Sequence, residues 1–242
     1  MITLFDSKFI FLKPRKVAGT SFEIALSSFA SINSIITPIS TDDELIRNQL
    51  GFLGAQNFLT KPSEIDLSKN TQFSYKKFPR FQLPLKFWNH MSAKNVKKNL
   101  GGVIWSNAFK ISIVRNPYDM AVSMFFFENK HIDNWTSEAF NQWCIKNSAL
   151  FSLNRKQYLI DGQEVINFYI RFESFQEDIL KLEARFSELT GLYHLFQKIK
   201  AKASFRPQEA DTKYLFESAS EAYTIISQAC AFEIEKFSYK CF

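Results

Sequence analysis

Residues 8–29 contain the pattern that most constrains the fold: a short apolar run, a tight loop and then an amphipathic stretch. The apolar run is Lys8–Leu12, KFIFL, which has the composition and length of a strand. The loop after it carries Pro14 and Gly19. The amphipathic stretch places apolar residues at helical spacing, at Phe22, Ala25, Leu26 and Phe29. Thr20 and Glu23 have the spacing of a capping box, which predicts a helix start at about Thr20.

The same order of strand and helix returns twice along the chain. Phe109–Val114 is a second predicted strand, and Asn116-Pro117 predicts a helix N-cap and first turn, with the helix running to about Glu128. Val165–Phe172 is the third predicted strand, with helices expected at 175–189 and 217–237. Strands alternating with helices predict an α/β fold with a central, mostly parallel sheet flanked by helices. Without a linker or an internal repeat, 1–242 is expected to be a single domain.

Charge is concentrated in one part of the chain. The net charge is +6, and 61–98 alone holds nine basic residues against two acidic ones, a charge of +7. Aromatic residues lie between these charges, and a basic balance favours anionic ligands. The 27 phenylalanines are interpreted mainly as core packing.

Three cysteines lie far apart, which favours a reducing compartment over a disulfide framework or a zinc site. The first 16 residues do not resemble a signal peptide, and no apolar stretch reaches 18 residues. We therefore expect a cytoplasmic protein without a transmembrane segment.

The loop after the first strand has the features of an anion site. Backbone N–H groups at a helix N-terminus carry partial positive charge, and a glycine lets the backbone approach a ligand closely. Lys16 adds a mobile charge, and hydroxyls follow the glycine. No Gly-Lys pair occurs, so this is not a Walker A loop. A helix cap with a turn glycine is the structural alternative. The predicted anion loop is Lys16, Val17, Ala18, Gly19, Thr20 and Ser21.

The second strand–helix junction offers another anion contact. Arg115 ends a predicted strand, and Ser123 follows about two helical turns later. Ligands of open α/β sheets bind outside the carboxyl ends of strands, and arginine binds phosphate bidentately. The structural alternative is an Arg115 that pairs with Asp119.

Together the two junctions resemble the sulfotransferases that use 3′-phosphoadenosine-5′-phosphosulfate (PAPS). KVAGTS resembles their 5′-phosphosulfate loop, P-K-x-x-G-T-S, and RNPYDMAVS resembles their 3′-phosphate motif, R-N-P-x-D-x-x-x-S. The carbohydrate-type branch is the most similar, since WNHMSA (88–93), IRFESFQEDI (170–179) and FEIEKFSY (232–239) also resemble its segments. One departure is that Arg15 stands where that family has proline.

This resemblance implies a P-loop-like sulfotransferase fold and in-line transfer of a sulfuryl group, without a metal. The acceptor would be a hydroxyl of a carbohydrate or glycoconjugate, anionic ones included. The resemblance also implies that Lys16 stabilises the leaving 3′-phosphoadenosine-5′-phosphate (PAP). The Gly19–Ser21 segment would hold the 5′-phosphate, while Arg115 and Ser123 would hold the 3′-phosphate.

Further roles follow from the same resemblance. His90 is the best candidate for the general base that accepts the acceptor proton, with a structural histidine as the alternative. Glu44 and Glu173 are reserve bases. Arg206 is a candidate nucleotide contact from a late loop. The adenine-stacking aromatic residue cannot be chosen among so many phenylalanines.

Two other functions remain open at this stage. One is a catalytically inactive relative that binds PAP or PAPS without turnover. The other is a nucleic-acid-binding protein that uses the basic and aromatic segment 61–98, which the ordered pair of anion motifs disfavours.

Overall fold

The computed structural model describes residues 1–6, 8–60, 84–129, 135–199, 206–207 and 209–241. Most of the basic segment, 61–83, therefore lies outside the described residues. The strands are β1 (Ile2–Leu4), β2 (Phe9–Leu12), β3 (Ile35–Ile36), β4 (Phe109–Val114), β5 (Leu159–Ile160), β6 (Gln163–Glu164) and β7 (Phe168–Arg171).

Helices surround these strands. In chain order they are α1 (Gly19–Ser27), α2 (Thr41–Gln49), α3 (Ala93–Leu100), α4 (Gly102–Asn107), α5 (Pro117–Glu128), α6 (Ser137–Lys146), α7 (Arg155–Tyr158), α8 (Phe175–Arg185), α9 (Leu192–Phe196), α10 (Thr212–Phe216), α11 (Ser220–Ala229) and α12 (Ala231–Phe237).

The main sheet has five strands in the order β3-β1-β2-β4-β7. β2 pairs in parallel with β4, and β4 pairs in parallel with β7, with Phe9 opposite Phe109 and Ile111 opposite Phe168. β1 is antiparallel to both of its neighbours. The predicted α/β class with a flanked sheet is confirmed, but the sheet is mixed, with a parallel core and an antiparallel edge.

Alternate residues of β2 supply the core on both faces of the sheet. Phe9 and Phe11 pack with Phe22 of α1, whereas Ile10 and Leu12 pack in a second cluster with Val96 of α3. All of these side chains are buried. A strand that is covered on both faces has apolar residues at consecutive positions, which explains the apolar run in KFIFL.

A third cluster lies among helices α5, α6, α10 and α11. Its rings include Phe125, Phe126 and Phe140, which meet edge to face. The interpretation of the phenylalanines as core residues is confirmed for these positions. This cluster fixes α5, the helix that carries Ser123.

The predicted capping box at the start of α1 is wrong. The helix begins at Gly19, and its N-cap is Ala18 in left-handed conformation, without a side-chain cap. Glu23 lies inside the core, where its carboxylate pairs with Lys13 Nζ at 2.6 Å and lies 3.9 Å from Arg47. Glu23 therefore stabilises a buried charge cluster, because an unpaired buried carboxylate would be costly.

Among the other predicted strands and helices, two are confirmed and two differ in length or continuity. The strand Phe109–Val114 and the helix from Pro117 to Glu128, capped by the Asn116 side chain, are confirmed. The third strand is shorter than predicted, and the expected helix at 217–237 is divided at Cys230 into α11 and α12.

Candidate functional site

The first anion loop connects the carboxyl end of β2 to α1. Lys16 and Ala18 adopt left-handed backbone conformations, with φ of 59° and 55°. The first N–H groups of a helix have no partner inside it, so the start of α1 supplies donors at this turn. A Cβ on Gly19 would lie 3.1 Å from Lys13 Cγ. The glycine makes room for the buried lysine beneath the loop.

The second junction is joined to the first by Arg115. Its guanidinium donates from Nη1 to the Lys16 carbonyl at 2.9 Å and from Nε to Asp119 Oδ2 at 2.7 Å. The Phe172 ring lies against its other face, with Cζ 4.0 Å from the ring centroid. The pairing with Asp119, our structural alternative, is therefore present. A guanidinium has five N–H donors, so this pairing does not use all of them.

Asp119 holds two arginines at once. Its Oδ1 accepts from Arg206 and from the Thr212 hydroxyl, while Oδ2 accepts from Arg115. Burial alone would raise the pKa of Asp119, but the two guanidinium groups outweigh it and lower that pKa. The carboxylate therefore stays charged and keeps both guanidinium groups close to the junction.

One cavity lies between the two junctions. Its volume is about 270 Å³, close to the lower end of the roughly 300–1,000 Å³ that small-molecule sites occupy. It opens at the carboxyl ends of the parallel strands, where ligands of α/β folds bind. The predicted site residues that line it are Lys16, Ala18, Gly19, Thr20, His90, Arg115 and Ser123.

The other predicted site residues lie outside the cavity lining. Val17 is fully buried in the apolar core, and Ser21 is 6% exposed. Arg206 reaches Asp119 and the Ala210 carbonyl instead. Its position is behind Arg115, so it acts on the cavity through Asp119.

His90 enters the cavity from the segment before α3. Its Nδ1 lies 3.1 Å from the Lys13 carbonyl oxygen. A carbonyl only accepts, so Nδ1 carries the ring hydrogen and Nε2 keeps the lone pair in the neutral ring. Burial, followed by the charges of Lys13 and Arg15, lowers the His90 pKa to about 3. The imidazole is therefore neutral near pH 7 and a weak base in the unliganded site.

The reserve bases do not line the cavity. Glu44 accepts from the Ile39 backbone N–H and pairs with Arg47. Glu173 accepts from the Asn116 backbone N–H at 2.6 Å and from the Tyr239 hydroxyl. Both carboxylates hold backbone and neighbouring side chains together.

Several cavity residues were missed by the sequence analysis. Phe127 places its ring 3.9 Å from Lys16 Nζ, and Phe172 covers Arg115. A signal for Phe127 existed, since it lies one helical turn after Ser123 on the same face. The remaining lining residues are Lys13, Pro14, Arg15, Met124, Glu128, Leu150 and Leu153.

The cavity is cationic, because four basic side chains line it against Glu128 alone. Comparison with protein-family models, curated proteins and solved structures found no match. Within the described residues, no helix is long and apolar enough to cross a membrane. In the same residues, no group of three histidine, cysteine or acidic side chains could hold a metal ion.

Proposed function

We propose that this chain is a PAPS-dependent sulfotransferase that acts on a hydroxyl of a carbohydrate or glycoconjugate. One observation carries the proposal: residues from three separate segments, chosen from sequence motifs, line a single cationic cavity. The proposal includes a P-loop-like sulfotransferase fold, which the parallel core and the first strand–loop–helix unit support. It also includes a cytoplasmic location.

The two ends of the nucleotide would contact different junctions. The N-terminus of α1 and the Thr20 hydroxyl would bind the 5′-phosphosulfate, where helix N–H groups favour an anion. Arg115 and Ser123 would bind the 3′-phosphate, which distinguishes PAPS from nucleotides with a free 3′-hydroxyl. Phe127 and Phe172 are the candidate rings for contact with adenine.

In the proposed transfer, the acceptor oxygen attacks sulfur in line while the bond from sulfur to the bridging oxygen breaks. Negative charge then grows on the departing phosphate, and the Lys16 ammonium stabilises it. The acceptor proton moves to Nε2 of His90, the ring nitrogen that carries the lone pair. Bound phosphates would raise the pKa of His90, because they offset the cations that depress it.

Calorimetric titration of PAP, with adenosine 5′-monophosphate as the comparison ligand, tests the nucleotide site. We expect Ser123→Ala to weaken PAP binding about tenfold and to leave the monophosphate unaffected. Ser152→Ala is the matched control, since that hydroxyl is exposed and outside the cavity. Equal affinity for the two nucleotides in the wild type would contradict the assignment.

Turnover with labelled PAPS and a panel of carbohydrate acceptors tests the reaction. Lys16→Ala should lower the rate by about 100-fold or more, whereas the exposed Lys146→Ala should not. A near-normal rate in Lys16→Ala would refute the proposed mechanism. Tight PAP binding with no turnover on any acceptor would favour the inactive nucleotide-binding relative.

A further inference from the structure

A second feature lies at the opposite end of the parallel strands from the cavity. A groove of about 210 Å³ is formed by the turn before β2 and by α4, which precedes β4. Val103 and Ile104 line it and are 77% and 41% exposed. Lys8 lines the same groove from the β1–β2 turn. Aliphatic side chains are thus held in solvent next to a positive charge.

The outward direction of these side chains is fixed by the rest of α4. Trp105 is 5% exposed and packs in the core, so the preceding helix positions point away from it. Lys110 Nζ donates to the carbonyls of Trp105 and Ala108 at 3.2 and 2.7 Å, which closes the end of the helix. Val103 and Ile104 therefore cannot turn inward without breaking these contacts.

The third exposed aliphatic residue lies at the same end of the sheet. Ile32 is 76% exposed and comes three residues before β3. Because Ile35 pairs with Thr3, the chain at Ile32 lies beyond the amino end of β2. Val103 and Ile32 are the two most exposed large apolar side chains of the described residues.

The described charges near this end are mostly basic, since Lys8, Lys97 and Lys98 are exposed, against the exposed Asp6 of the β1–β2 turn. No Asp or Glu occurs between Asp66 and Asp119. α3 presents Lys97 and Lys98 to solvent only a few residues before Val103, and within the described part of the chain no carboxylate pairs with either of them. Lysines beside exposed aliphatic side chains are complementary to an anionic bilayer surface, which takes both kinds of group.

We propose that this face, defined by Ile32, Val103, Ile104, Lys97 and Lys98, docks the protein on an anionic lipid surface. Single-stranded nucleic acid fits less well, since it binds through exposed aromatic rings and Trp105 is buried. β4 runs from this face to the cavity over six residues, about 20 Å. The docked protein thus keeps its cavity open to water. The inference does not depend on the proposed sulfotransferase activity.

Vesicle sedimentation tests the docking face. The full chain should sediment with phosphatidylcholine vesicles containing about 30% phosphatidylserine and not with phosphatidylcholine alone, and salt should weaken the binding. Val103→Ser/Ile104→Ser should lower the partition coefficient about tenfold. The control is Ile145→Ser/Leu180→Ser, a change of two aliphatic residues on α6 and α8 that are 40% and 45% exposed, and this variant should bind as the wild type does.

Charge variants complete the test. Lys97→Gln/Lys98→Gln should weaken binding about 10- to 30-fold, while Lys146→Gln/Lys213→Gln should not. All variants should retain the far-ultraviolet circular dichroism and the urea-unfolding midpoint of the wild type. Failure to bind phosphatidylserine vesicles would overturn the proposal. Vesicle binding that is unchanged by the serine substitutions would also overturn it. Lysine-dependent binding of a labelled oligonucleotide, without vesicle binding, would overturn it as well.

Discussion

Single residues decide the electrostatics of the cavity. The His90 imidazole is unprotonated near neutral pH, because burial and the cations of Lys13 and Arg15 lower its pKa to about 3. Its neutral ring still presents Nε2, since Nδ1 is directed at a carbonyl. A base of this kind becomes effective only when an anion shares its cavity. In the proposed reaction, donor binding would therefore promote proton acceptance by His90.

We expect the His90 ring to stay neutral between pH 5 and 8, measured by the pH dependence of its NMR resonances. In urea-unfolded protein the same ring should titrate near 6.5. The folded pKa is lowered, so the neutral ring contributes stability above about pH 6.5 that is lost as pH falls below it. Added PAP should raise the folded pKa. A ring that titrates near 6.5 in the folded, unliganded chain would contradict this description.

Asp119→Asn should destabilise the fold by about 2–3 kcal/mol in urea unfolding, because Arg115 and Arg206 would then face one another without a shared carboxylate. The control is Asp161→Asn, whose exposed pair with Lys94 contributes little. PAP should stabilise Asp119→Asn by more than it stabilises the wild type, since its phosphate replaces the lost anion. Equal stability of the two variants would show that Asp119 does not organise the arginines.

A site residue could be predicted from the sequence only where a short motif around it indicated its role. Lys16, Arg115 and Ser123 were predicted because each belongs to a short motif beside a strand. The contact between Asp119 and Arg206 joins residues that are 87 positions apart, so no local sequence pattern predicts it. The exclusion of Ser21 and Val17 from the lining also depends on the orientation of α1, which begins one residue earlier than the capping pattern predicted.

Elements with their own hydrophobic pattern and cap were the ones that the sequence predicted well. Phe109–Val114 is buried on both faces, and α5 begins at an asparagine cap followed by proline. The antiparallel edge strands β1 and β3 have only three and two residues, too few for a periodic pattern. The last predicted helix is divided at Cys230, whose thiol contacts the Phe151 carbonyl, 79 residues away in the sequence.

α12 contains a buried acid that should make stability depend on pH. Burial raises the pKa of Glu233 to about 7 from 4.5, although its own backbone N–H and Arg155 oppose the rise. The stability from the neutral acid is complete below pH 4.5 and is lost as pH rises through 7. Each pKa unit corresponds to about 1.4 kcal/mol, so the free energy of unfolding falls by about 3 kcal/mol at high pH.

Glu233→Gln should therefore be more stable than the wild type at pH 8, by about 1–3 kcal/mol, and similar to it at pH 5. Glu235→Gln, on the exposed side of the same helix, is the control and should change little at either pH. Urea unfolding at both values gives the measurement. A constant difference between Glu233→Gln and the wild type across this range would show that Glu233 does not titrate as described.

At the scale of the whole molecule, buried charge joins elements that are distant in sequence. Glu23 of α1 pairs with Lys13 at the end of β2 and approaches Arg47 of α2. Burial alone would raise its pKa, but these cations hold it well below its usual range. The contribution to stability is present above the unfolded pKa of about 4.5 and is lost as pH falls. This cluster supports the anion loop from beneath.

Glu23→Gln should lower the free energy of unfolding by about 3–5 kcal/mol at pH 7, because it leaves Lys13 buried without its counter-charge. It should also strengthen PAP binding, since Lys13 lines the cavity and a bound phosphate would supply the lost counter-charge. Glu188→Gln is a suitable control from the three-residue turn after α8. Thermal and urea unfolding give the first quantity and calorimetry the second. Unchanged stability in Glu23→Gln would show that the buried cluster is not a structural support.

The parallel pairing of β2 with β4 also determines when the cavity can exist. The Lys16 carbonyl and the Arg115 guanidinium that meet there are 99 residues apart in the chain. Closing so long a loop has an entropic cost and slows folding. During synthesis, the first anion loop leaves the ribosome long before the Arg115 junction does. The cavity therefore lacks its second side until α5 has also emerged. An amino-terminal fragment that ends before Phe109 should therefore lack the Arg115 side of the cavity and fail to bind PAP.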